Sequence, residues 1–120
     1  MKSQPEAAHA GGVIDLVAVA RELRADAIAS AVKHAARTIL REPDLRVVVL
    51  AMEVGATIAK HHASDTAMLH VLHGHLRIRL NDRVVELGAG QLLPLERGLA
   101  HDVEALAESA FVLVLARSAA

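Results

Sequence analysis

The chain has 120 residues, 53% of them apolar, and thirteen basic against fourteen acidic side chains, so one domain near electrical neutrality is expected. It holds no cysteine, which excludes disulfides and thiolate metal sites, and one aromatic residue, Phe111, which removes the stacking platforms of nucleic-acid binders. The longest apolar run, Ala110 to Ala116, is far short of the ~20 residues a membrane-spanning helix needs.

Met1-Lys2-Ser3-Gln4-Pro5-Glu6 places an acid and a proline where a secretory leader needs apolar residues, so a cytoplasmic protein without nucleic-acid or membrane partners is expected. Residues 1–12 end in Ala10-Gly11-Gly12, show no periodicity and read as a flexible arm. Asp15 is a helix-capping type, and Leu16, Ala20, Leu23, Ala27 and Ala31 follow at spacings of three or four, with Arg21, Glu22, Arg24 and Asp26 elsewhere on the wheel. Residues 13–34 are therefore a helical segment, one helix or two short ones, ending near Lys33-His34.

From residue 35 to 118 the pattern shifts to short β runs. Thr38-Ile39-Leu40 and Leu45 to Met52 flank a turn at Arg41-Glu42-Pro43-Asp44. Leu76-Arg77-Ile78-Arg79-Leu80 alternates strictly, aliphatics to one face and arginines to the other. Val84 to Leu87, Gln91 to Leu95, His101 to Ala105 and Phe111 to Ala116 complete an antiparallel barrel or sandwich.

Within these runs lie Gly55, His61, Ala63, Ala67 and Gly74, then Gly90, Glu96, Gly98, His101 and Ala105. This spacing resembles the two signatures of the cupin family, with the resemblance spanning about residues 35–116. Both signatures depart from the family pattern. Ala63 and Ala67 stand where the first usually has its second histidine and its glutamate, and Glu96 and Ala105 replace the proline and asparagine of the second. The resemblance implies an all-β fold, the antiparallel double-stranded β-helix or jelly-roll barrel, preceded here by the short helical segment. It also implies that His61 and His101 converge inside, as side chains two apart on a strand share a face.

Six of the eight histidines fall between residues 61 and 101. His61 and His101 are candidate ligands for a divalent transition metal (iron, nickel, zinc or manganese), and His70 joins them if a bulge turns it inward. Two nitrogens without a carboxylate bind metal weakly, so the two rings read first as hydrogen-bonded remnants and second as ligands. His73 and His75 bracket a turn glycine and are expected in solvent, while His62 is expected on the outer face. Glu53 and Glu96 are the nearest acids and read as exposed charges; Arg37 reads as a partner in an outward salt bridge.

Alanine at 63 and 67, with Ala105, lines a wider and more apolar pocket than a four-ligand site would leave. The expected function is a small-molecule-binding or sensor-type cupin with a reduced metal site, its ligand in the barrel. A metal-dependent enzyme of oxygenase or isomerase type, using His61, His101 and His70, is the alternative. A filled, purely structural barrel is the third reading. A homodimer is expected, with Thr38-Ile39-Leu40 as the exchanged or interfacial strand.

Overall fold

The computed structural model describes residues 11–62 and 64–116, without the side chains of His61 and His62. The arm over residues 1–10 and the pocket residue Ala63 lie outside the described residues. No helix among the described residues is long and apolar enough to cross a membrane.

Helix α1 runs Leu16–Ala29. Asp15 caps it in an extended conformation, its carboxylate accepting from the Ala18 N–H at 3.1 Å. The helix stops short of Lys33-His34. Ser30 turns extended at ψ 143°, its hydroxyl accepts from the Val32 N–H, and Lys33 takes φ 60°. A serine that binds its own local backbone offers the chain an alternative to another helical turn.

Nine strands follow: β1 His34–Arg41, β2 Leu45–Met52, β3 Thr57–His62, β4 Thr66–His73, β5 His75–Arg79, β6 Val84–Gly88, β7 Leu92–Leu95, β8 Ala100–Ala105 and β9 Ser109–Ala116. They pair in two sheets, a five-stranded one in the order β1-β2-β9-β4-β7 and a four-stranded one in the order β3-β8-β5-β6. Every pairing is antiparallel. The two sheets face each other across one aliphatic interior, which is the jelly-roll arrangement.

β2 explains how the layers are ordered. Val48, Leu50 and Met52 enter the barrel interior with Leu69, Val71, Leu76, Ile78, Val103 and Phe111. Val49 and Ala51 face the opposite way, against Ala20, Leu23 and Ala27 of α1. With both faces covered the strand reads as an unbroken apolar run rather than an alternation. The helix thus closes the outer face of the five-stranded sheet over β1 and β2.

The outer face of the four-stranded sheet is instead a charged ladder. Arg77 lies 3.4 Å from Glu104 and 3.8 Å from Glu86; Arg79 lies 3.6 Å from Glu104 and 3.8 Å from Asp102. Such exposed pairs hold little stability, but they keep this face in water and fix which side of β5 is the inside.

The β4–β5 hairpin is anchored by Ser109, which is fully buried. Its hydroxyl accepts from the His75 N–H at 2.9 Å and lies 2.8 Å from the Ala107 carbonyl. Gly74 makes this turn at φ 93°, directly over the backbone of Glu108 and Ser109.

Candidate functional site at the barrel rim

β3 and β8 pair so that Ile58 is opposite Val103 and His61 is opposite His101. Three positions on β3 therefore match two on β8, a bulge within residues 58–61. The bulge resets the register, bringing the backbone of His61 level with His101 while Ile58 stays level with Val103.

On β8 the alternation is clean. His101, Val103 and Ala105 are buried, with Asp102 and Glu104 between them more exposed and facing the arginine ladder. His101 is 4% exposed, and its Nδ1 lies 3.0 Å from the Leu99 carbonyl. A carbonyl only accepts, so Nδ1 carries the proton of this contact and the ring's orientation is fixed.

The facing wall belongs to the five-stranded sheet. Arg46 pairs with Leu115, Leu115 with Ala67, and Ala67 with Leu95, so these four form one row across β2, β9, β4 and β7. Ala67, Leu95 and Leu115 belong to the interior cluster. Topology sets this row at the His61 and His101 end of the barrel. β3 ends at His62 and β4 opens at Thr66, while β7 ends at Leu95 and β8 opens at Ala100.

His70 does not join the site. Ala67, Leu69 and Val71 take the inner face of β4, and His70 stands between them beside Val112 and Leu92 on the outer face. A bulge between Ala67 and Val71 would be needed to turn it inward, and the β4–β9 register shifts only between Val71 and His73. Ala105 is buried but lies two inward positions below His101, about 13 Å along the strand, so it floors the barrel rather than lining the rim.

The other candidates fall outside the barrel. His73 lies 2.6 Å from Glu108 and His75 2.8 Å from Glu86, both rings near half exposure. Arg37 pairs outward with Glu22 at 2.7 Å. Glu96 is exposed, whereas Glu53 is partly buried with Arg24 3.6 Å away. A concavity of about 420 Å³ opens between α1 and β4, lined by Val17, Ala20, Arg24, Leu72, His73 and Glu108 among others.

No three metal-binding side chains cluster among the described residues. Ala67 puts a methyl group in the place of the expected carboxylate, leaving two imidazole positions where catalytic metals use about three protein ligands. The described residues alone do not supply the ligand set of such a metal.

No sequence pattern marks the face of Arg46. It opens an otherwise aliphatic run, Leu45-Arg46-Val47-Val48-Val49-Leu50, without alternation. Once Val48, Leu50 and Met52 are placed inside, the unbroken β2–β9 register puts Arg46 on the same side.

Residues 48–116 match the family model described as a cupin domain. Among solved structures, a conserved protein of unknown function from Streptococcus pyogenes is similar at 20% identity and TM-score 0.74, over 99% of this chain and 98% of that one. That match takes in the helix as well as the barrel. KdgF from Halomonas sp. is similar at 20% identity and TM-score 0.65, over 71% of this chain and 82% of that one. The EutQ protein of Clostridium difficile is similar at 17% identity and TM-score 0.64, over 72% and 70%. Identities this low establish a shared fold. A search of curated proteins finds no match.

Proposed function

The chain belongs to the cupin family, and we propose that it is a small-molecule-binding cupin of sensor or accessory type, with its ligand at the rim framed by His101, Ala67, Leu95 and Leu115. One observation carries this reading. A buried, orientation-fixed imidazole faces a wall of alanine and leucine rather than a wall of metal donors. Pockets for small molecules combine a mostly apolar lining with a few placed polar groups, and this rim has that composition. His101 would orient a polar group of the ligand, and the row Leu115–Ala67–Leu95 would receive its apolar body.

The second reading is a metal-dependent cupin enzyme of oxygenase or isomerase type. The Nδ1 contact of His101 favours it, because metal-bound histidines usually donate their other ring N–H to a carbonyl or carboxylate. Elemental analysis of protein purified without a histidine tag separates the two. The proposal expects iron, nickel, zinc and manganese well below one per chain, together with fragment hits in a thermal-shift screen that weaken in His101→Ala. Stoichiometric metal lost in both His61→Ala and His101→Ala would install the enzyme reading instead.

Pairing of two copies through β1, an edge strand that contains Thr38-Ile39-Leu40, belongs to the same proposal, as does a cytoplasmic setting.

A further inference from the structure

We propose that the rim recognises the anionic group of a small, otherwise apolar acid, and that Arg46 receives it. The inference rests on the small-molecule reading above and names its ligand class.

Arg46 faces inward from β2 in register with Leu115, and it is partly withdrawn from solvent. Its Nε is buried without a hydrogen-bond partner, and among the described residues its guanidinium has no carboxylate within ion-pair distance. Arg24, Arg37, Arg77 and Arg79 each lie within 4.0 Å of an acid. Across the β1–β2 pairing, Arg46 meets Arg41, and like charges directly opposite on a sheet repel. Folding thus sets Arg41 and Arg46 opposite each other at this end of β1 and β2, with no carboxylate of the described residues within ion-pair distance of Arg46. That is a poor arrangement for stability and a suitable one for binding an anion.

The geometry narrows the ligand. The planar guanidinium fork matches carboxylate or phosphate oxygens in a bidentate way. Two strand spacings, about 10 Å, separate the backbones of Arg46 and Ala67, with Leu115 between them. An acid bound at Arg46 therefore lays its body along Leu115 and Ala67, across from the histidine wall. A carboxylate with a short aliphatic chain fits that span.

The test is thermal unfolding of the full chain in chloride buffer at fixed ionic strength, titrated separately with hexanoate, hexanamide and inorganic phosphate. Hexanoate is expected to raise the melting temperature saturably and hexanamide to leave it unchanged. Arg46→Met is expected to melt higher than wild type in chloride alone, since an uncompensated charge has gone, and to bind hexanoate about 10- to 100-fold more weakly. Arg21→Gln, which alters the helix-side groove instead, should bind hexanoate as wild type does. Saturable stabilisation by phosphate rather than hexanoate, lost in Arg46→Met, supports the anion site and assigns it to a phosphate ester. Equal stabilisation by hexanamide and hexanoate overturns the inference, as does unaltered hexanoate binding in Arg46→Met. Failure of every anion while neutral fragments still bind the rim overturns it too and leaves the small-molecule reading standing; failure of both removes both.

Discussion

Gly74→Ala is expected to destabilise the protein by roughly 3 kcal/mol or more, the sum of left-handed strain and a steric clash. The residue sits at φ 93°, where a Cβ is disfavoured, and an added Cβ would run into the Ser109 hydroxyl and the Glu108 carbonyl. Neither obstacle is the free end of a flexible side chain. Ser109 is itself held by His75 and Ala107, so relief of the clash means moving the start of β9. Gly98→Ala is the control. It has φ 80° but open space around it, and should cost only about 1–2 kcal/mol. Ser109→Ala, which leaves the turn intact and the His75 N–H unpaired, should fall at about 1–3 kcal/mol. Urea unfolding of the three variants gives the order; equal costs for Gly74→Ala and Gly98→Ala would show that the hairpin does not press on β9.

Phe111→Ala is expected to cost about 3–5 kcal/mol, the usual range for an aromatic truncation in a packed interior. Phe111 is 2% exposed, and its cross-strand partners are Leu50 and Val71, both in the same cluster. Aliphatic neighbours fixed on the two flanking strands cannot close over the space it leaves, so a cavity remains. Phe111→Leu keeps part of the volume and should cost less. Both substitutions act on the barrel floor, because Phe111 lies two inward positions below Leu115 on β9, about 13 Å from the rim row. Ligand binding by the folded fraction of Phe111→Leu should therefore match wild type. A loss of less than about 1 kcal/mol in Phe111→Ala would mean that the interior is not packed on this ring.

How far the fold could be read depended on how each strand is covered. The Leu76–Leu80 segment alternates because one face meets the interior and the other a charged ladder; its inward and outward residues are those found. His101 to Ala105 alternates for the same reason, which made His101 legible as an inward residue. β2 is covered by the helix on one side and the barrel on the other, so its sequence carries no face information. That concealed Arg46. His70 misled for a related reason: β4 is backed by apolar neighbours, Val112 and Leu92, which permit a histidine outside the barrel without any charge pattern to announce it. The helix end shifted because a serine's local hydrogen bonding outweighed the apolar period that continues to Ala31. The two-residue spacing rule alone could not have paired His61 with His101. Their match depends on the bulge in β3, an irregularity that only the pairing reveals.

The most direct test of the central claim is methyl-resolved NMR of the full chain, titrated with hits from a neutral and acidic fragment screen. Saturable shifts are expected at Ala67, Leu95 and Leu115, with Ala105 and Leu76 at the opposite end unmoved. Shifts confined to Val17 and Leu72 in the helix-side groove, with the rim methyls silent, would contradict it.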